Sequence, residues 1–197
     1  MGNIRGHNFY AFIARMKYIN RWILMRNTQS ENIQEHSLQV AILSHALALI
    51  NNIYFEGNLN ADRAAVLGMF HDCDEIITGD LPTPVKYYNN GMREAYRIVE
   101  NSAKEKLLGM LPDEMEASYR NILYQDEDEY IWKIVKAADT ISAYIKCIDE
   151  IKAGNTEFHA ASESILQKLE TLQLQEVEFF MKEFLDGFKL SLDEFGI

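Results

Sequence analysis

The chain has 197 residues, slightly more than a usual single domain, so one domain over 1–197 is expected rather than two small ones. It is 48% hydrophobic and 25% charged, which excludes a disordered chain, and ten glycines with three prolines are too few for a turn-rich all-β fold. Nineteen basic against thirty acidic side chains leave a net charge of −11, a surface that repels nucleic-acid backbones and anionic lipid. Polymeric nucleic acid is therefore not an expected partner, although a small phosphorylated ligand in a local basic pocket remains compatible. Cys73 and Cys147 lack the spacing of a redox pair and are too few for a disulfide framework, which fits a reducing cytoplasm.

Nearly every segment reads at helical period. Phe9, Phe12, Ile13 and Met16 recur at i, i+3, i+4 and i+7 and predict a first amphipathic helix. A second begins near residues 30–33, with two alternative caps, Thr28 with Glu31 or Asn32 with Glu35, and continues through Val40, Leu43, Leu47 and Ile50. The uncharged stretch 36–55 raises the membrane question, but Gln39, Ser44, His45, Asn51 and Asn52 interrupt it; a buried helix is expected, and no membrane partner. Near the N-terminus, Arg5 and His7 are not followed by an apolar run with a small-residue cleavage site, so no leader is expected.

Asn60 is the predicted cap of a third helix through Ala64, Leu67, Phe70 and His71, stopping at Gly79. Residues 80–84 carry two prolines and are expected to be extended. A fourth helix is predicted over 92–111, and Pro112 suits the first turn of another. The acidic run 126–129 precedes a long helix through Ile131, Ile134, Val135, Ala138, Ile141 and Ile145, which ends near Gly154 and Asn155. Two further amphipathic helices, broken near 172–174, complete an all-α domain of about eight helices. The last of them carries Leu174, Val177, Phe180, Met181, Phe184 and Phe188, an apolar face for intramolecular core or a second copy.

Ionisable residues on these apolar faces are the informative ones. Asp139 lies on the apolar stripe of the long helix, His71 and Asp72 follow a strongly apolar segment, and His36 falls in the opening turns of the second helix. A carboxylate in such a place is costly unless it is paired or binds a metal. Two imidazoles and two carboxylates suit Mn, Co, Fe, Ni or Zn better than Ca or a thiolate-bound zinc. Each residue alone reads more simply as a hydrogen-bonded core group; the joint pattern carries the weight. His45, nine residues after His36, reads as a core histidine.

A lone His, a His-Asp pair and a distant helical Asp resemble the HD superfamily of metal-dependent phosphohydrolases. The chain is also similar, over nearly its whole length, to the bacterial YfbR-like 5′-deoxynucleotidases. Residues 20–22 (NRW), 24–27 (LMRN), 31–32 (EN), 35–40 (EHSLQV), 78–87 (TGDLPTPVKY) and 190–194 (LSLDE) carry that likeness. It implies a single HD domain, and it makes His36, His71, Asp72 and Asp139 ligands of one divalent transition metal ion such as Co or Mn. The implied reaction is hydrolysis of deoxyribonucleoside 5′-monophosphates to deoxyribonucleoside and phosphate, with ribonucleotides rejected. Glu75, three residues after Asp72 and four after His71, is the candidate general acid/base, or alternatively a carboxylate orienting His71.

The same likeness makes Arg21, Trp22, His36, Asp72, Asp80, Leu81, Pro82, Thr83 and Asp139 substrate-binding. Arg21 would hold phosphate oxygens, Trp22 would exclude a 2′-hydroxyl, Asp80 would accept from a sugar hydroxyl and Thr83 would donate to phosphate. From the residues alone, Trp22 reads as core packing and Arg21 as a helix C-terminal charge. Lys86 either adds positive charge to the site or is solvated. Cys73 and Asp74 depart from the Ala-Ser usual beside the family's site, and Cys73 has no expected role. A homodimer and a cytoplasmic location are implied as well. Competing readings are an HD phosphohydrolase acting on a dNTP or an alarmone, and a non-catalytic helical module with a structural metal or none.

Overall fold

The computed structural model describes residues 6–86, 88–126 and 129–196. In chain order the helices are α1 (Phe9–Ile13), α2 (Ile33–Tyr54), α3 (Ala61–Phe70), α4 (Glu75–Thr78), α5 (Thr83–Lys86), α6 (Asn90–Leu108), α7 (Asp113–Leu123), α8 (Tyr130–Lys152), α9 (His159–Thr171) and α10 (Gln175–Glu183), with short 3-10 turns between some of them. The all-α expectation holds. Among the described residues the extended pairing is a single antiparallel bridge, Asn20 with Asn32. The chain divides into two compact units: Met1–Leu24, Ser30–Ser37 and Phe70–Gln125 form the first, and Met25–Gln29, Leu38–Met69 and Asp126–Ile197 the second. Arg5, Tyr87 and residues 127–128 of the acidic run lie outside the described residues.

In the first unit, Phe9, Met16, Ile33, Cys73, Leu107, Leu108, Leu111 and Leu123 form the apolar core. Full burial of side chains of this size stabilises by roughly 1.5–3 kcal/mol each. Asn32, rather than Thr28, caps α2: its Oδ1 accepts from the amides of Gln34 at 3.0 Å and Glu35 at 3.1 Å. Asn89 caps α6 through the amide of Met92 at 2.8 Å, which starts that helix two residues earlier than the apolar pattern suggested. Pro112 stands just before α7 with extended ψ, outside the first turn.

Two expectations of local structure are corrected here. The third helix stops at Phe70 and does not run on to Gly79. Residues 71–74 form turns closed by bonds from Cys73 N to Phe70 O and from Glu75 N to Asp72 O, each 3.1 Å, and α4 restarts at Glu75. Burying Cys73 among Phe9, Met16 and Ile33 is what this break accomplishes. Residues 80–84 are likewise not extended throughout, because α5 opens at Thr83, with the Pro82 carbonyl accepting from Val85 at 2.8 Å and Lys86 at 3.1 Å.

In the second unit, α2 and α8 bury long apolar stripes, including Val40, Leu43 and Leu47 on α2 and Ile134, Val135, Ala138 and Ile141 on α8. The helix α2 is long and apolar enough to cross a bilayer, but half of its most apolar window is buried within the protein. Of the apolar C-terminal face, Val177 and Phe180 are core, Leu174, Met181 and Phe188 are half-buried and Phe184 is exposed. Asn60 caps α3 as expected, accepting from the Arg63 amide at 2.9 Å. His45 is not a core residue: its side chain is 41% exposed, 3.8 Å from Asp62.

The most heavily bonded polar group of this unit is Glu150, which is almost fully buried on α8. It accepts from Thr28 Oγ1 at 2.7 Å, from the Thr28 amide at 2.8 Å, from Asn155 Nδ2 at 2.8 Å and from Lys146 Nζ. Burial alone would raise its pKa; the bonds from Lys146, Asn155 and Thr28 outweigh that and hold the carboxyl well below the usual range. The group ties residues 25–29 to α8.

Two outcomes follow for stability. A Cβ at Gly68 would meet the Cα of Ala41 at 2.9 Å and the Oγ of Ser44 at 3.0 Å, so Gly68→Ala should cost about 1–3 kcal/mol in urea unfolding. Glu150→Gln should leave the Lys146 ammonium without its carboxylate and cost about 3–5 kcal/mol near neutral pH. Because the native pKa is depressed, that difference should be full above the ordinary carboxyl value of 4.5 and shrink as pH falls from there through the depressed value; unfolding midpoints measured across pH check the sign.

Candidate metal centre and substrate site

The capped first turn of α2 delivers His36, and the turn that ends α3 delivers His71 and Asp72. Both imidazole side chains are fully buried. Their Nε2 atoms converge on one oxygen, Asp72 Oδ2, at 3.6 Å from His36 and 2.9 Å from His71. The two rings lie 5.2 Å apart between centroids. Three groups that each prefer water are thus held together largely out of it, an arrangement that is costly unless each finds a polar or charged partner.

Glu75 opens α4 directly after this turn. It reaches the site from a separate short helix, not from the helix that was expected to carry His71 and Asp72 as well. Burial pushes its carboxyl pKa well above the usual range, and the negative charges of Asp72 and Asp80 push it further, against the opposing Arg21. Its Oε2 is buried and without a hydrogen-bond partner among the described residues. Asp74, beside it, is also buried, and burial raises its pKa too. Cys73 is part of the apolar core, as its lack of an expected role implied.

Asp139 is half-buried on α8 next to the fully buried Ala138. Within the first unit, buried imidazole nitrogens beside a carboxylate oxygen and a bare Glu75 oxygen fit a divalent transition ion and whatever it coordinates better than they fit a dry core.

Arg21 and Trp22 lie in the irregular stretch before α2, so neither simple reading applies: Trp22 is half-buried, and Arg21 ends no helix. The Arg21 guanidinium donates to His36 Nδ1 at 2.8 Å and to Glu31 Oε2 at 2.8 Å. The Trp22 indole N–H donates to that same Glu31 oxygen at 3.0 Å. Asp80, Leu81 and Pro82 are half-buried in the segment after α4; the side chain of Thr83 lies outside the described residues. Lys86 pairs with Glu100 at 2.5 Å over the Tyr96 ring. Glu31 is the residue that sequence reasoning missed, because its position fits a capping box equally well; only its contacts separate the two roles.

The family model described as 5′-deoxynucleotidase YfbR-like matches residues 8–188. A 5′-deoxynucleotidase of Photobacterium profundum is 49% identical over 190 residues, covering 95% of this chain and 97% of the relative. One from Photorhabdus temperata is 50% identical over 192 residues, covering 96% and 97%. Among solved structures, an HD-domain phosphohydrolase of Listeria innocua superposes with a TM-score of 0.81 at 24% identity, over 92% of this chain and 88% of that one. An HD phosphohydrolase of cyanophage S-2L, bound to dA and one catalytic zinc ion, gives 0.60 at 19% identity, over 90% and 96%. These two share the fold. With a matching family model across nearly the whole chain and relatives close to half identical end to end, the protein belongs to the YfbR-like 5′-deoxynucleotidase family.

Proposed function

We propose that this chain, acting as a single HD domain, is a metal-dependent 5′-deoxynucleotidase: it hydrolyses deoxyribonucleoside 5′-monophosphates to deoxyribonucleoside and phosphate and rejects ribonucleotides. The observation that carries the reading is the convergence of His36 and His71 on Asp72 beside the bare Glu75 oxygen, in a chain of this family. Its relatives named 5′-deoxynucleotidase support the activity, and the uninterrupted match over 8–188 supports treating the chain as one domain.

His36, His71, Asp72 and Asp139 would hold one divalent ion; Co or Mn is our choice within a mixed nitrogen and oxygen donor set. When bound, such an ion neutralises phosphate charge and makes a water more acidic. His36, Asp72 and Asp139 then also face the phosphate. Arg21 pairs with phosphate oxygens, and the Trp22 ring occupies the space a 2′-hydroxyl would need. Asp80 accepts from a sugar hydroxyl, while Leu81, Pro82 and Thr83 complete the wall around the nucleotide.

Hydrolysis forms a bond from a water oxygen to phosphorus and breaks the bond from phosphorus to the 5′ oxygen. Glu75 moves the proton this requires, giving it to the departing 5′ oxygen or taking it from the attacking water. A carboxyl whose pKa is raised by burial holds a proton where an exposed one would not, which suits the donor role. The cytoplasm is the proposed location, in keeping with a chain of only two cysteines, too few for a disulfide framework. We place a homodimer contact on α2, where Leu38, Ile42, Leu49 and Ile53 are exposed along one side of the helix.

Phosphate release from dAMP and AMP, with chelated protein resupplied with Mn, Co or Mg in turn, tests the reading. Metal-dependent turnover of dAMP over AMP is expected; no turnover of either would favour another HD substrate or a non-catalytic module. His71→Ala should lose bound metal and activity together. Glu75→Gln should keep metal, measured by elemental analysis, while turnover falls by about 10²–10⁴-fold.

A further inference from the structure

One oxygen of Glu31 does two things at once. Its Oε2 accepts from the Arg21 guanidinium at 2.8 Å and from the Trp22 indole N–H at 3.0 Å. The Arg21 and Glu31 side chains are each only 13% exposed, so solvent screens the pair weakly. The same guanidinium nitrogen that meets Glu31 also donates to His36 Nδ1, which makes a continuous chain from indole to carboxylate to guanidinium to imidazole.

The backbone is arranged around this contact. The Arg21 amide donates to the Glu31 carbonyl at 2.9 Å, the Ile33 amide donates to the Ile19 carbonyl at 3.0 Å, and Asn20 bridges Asn32. These bonds lock the segment around Arg21 in register with the segment entering α2. Trp22 has a φ of +58°, in the left-handed region that bulky side chains avoid, so its surroundings must hold it there. Of the side chains nearby, Glu31 is the one whose carboxylate receives the indole N–H. No helix cap needs this carboxylate, because Asn32 and Glu35 cap α2.

We propose that Glu31 is a specificity-positioning residue: by clamping the Trp22 indole and the Arg21 guanidinium with one oxygen, it sets the place of the ring that tells deoxyribose from ribose. This rests on the deoxynucleotidase reading, with Trp22 as the discriminating surface. An amide of the same shape would still offer one accepting oxygen at that place, so removing the clamp takes loss of the whole carboxylate.

The test is Glu31→Ala in a Trp132→Phe background, where Trp22 is the sole indole of the chain. Acrylamide quenching of its fluorescence should rise, and the ratio of kcat/KM for dAMP over AMP should fall roughly tenfold, the scale of losing a hydrogen bond that positions the substrate's surroundings. Trp22→Phe, which keeps a ring and deletes the N–H, should lose discrimination similarly, and the double variant should be no worse than either single one. It carries the same test should Glu31→Ala not fold. Unchanged quenching, unchanged discrimination or additive losses would overturn the clamp. Equal turnover of dAMP and AMP by the parent protein would overturn the functional reading and the specificity role with it, a result distinct from a parent that discriminates and a variant that still does.

Discussion

Two buried imidazoles beside a carboxylate form the constraint around which the first unit is built. Charged or polar groups taken from water must be repaid by partners of matching chemistry, or the fold loses several kcal/mol at that point. Here His36 and His71 point at one oxygen of Asp72, and the neighbouring Glu75 keeps an oxygen with no hydrogen-bond partner among the described residues. Part of that compensation comes from Arg21, whose guanidinium meets His36 Nδ1 at 2.8 Å. The local chain geometry serves this cluster. The Asn32 cap fixes where α2 begins and hence where His36 stands, and the break after Phe70 turns His71 and Asp72 out of α3 toward it.

That break has a second consequence. With α3 ended, Cys73 enters the apolar core and Glu75 starts a helix of its own. The His71–Asp72 pair and the Glu75 carboxyl are therefore carried on separate pieces of backbone, joined by a turn. A small change in that turn would shift one relative to the other, which makes the buried Asp74 next to Glu75 a more consequential departure from the usual Ala-Ser than a surface exchange would be.

In the stretch from Thr28 to Glu35, the fold gives Thr28, Glu31, Asn32 and Glu35 three different tasks. Asn32 with Glu35 closes the start of α2. Glu31 holds Arg21 and Trp22. Thr28 turns to the buried Glu150, 122 residues away in sequence. The same carboxylate and hydroxyl chemistry serves as cap, clamp and anchor, and the partner decides which.

What the amino-acid sequence determined by itself is whatever depends on neighbours along the chain. The apolar periods foretold the helices, including α8 and the break near 172–174; Asn60 marked the start of α3; and the His-Asp pair with its flanking motifs pointed to the family. Tertiary structure decided what depends on partners distant in sequence. It chose between two equally spaced caps, ended α3 at Phe70 where the helical pattern ran on, opened α5 at Thr83 where prolines suggested extension, and left His45 half exposed beside Asp62. It also gave Glu31 its role. Spacing along a helix is a one-dimensional property that a residue pattern can carry, whereas a hydrogen bond or a buried side chain needs a second segment brought alongside. For Glu31 that second segment is the one holding Arg21 and Trp22, and no pattern within either stretch names the other.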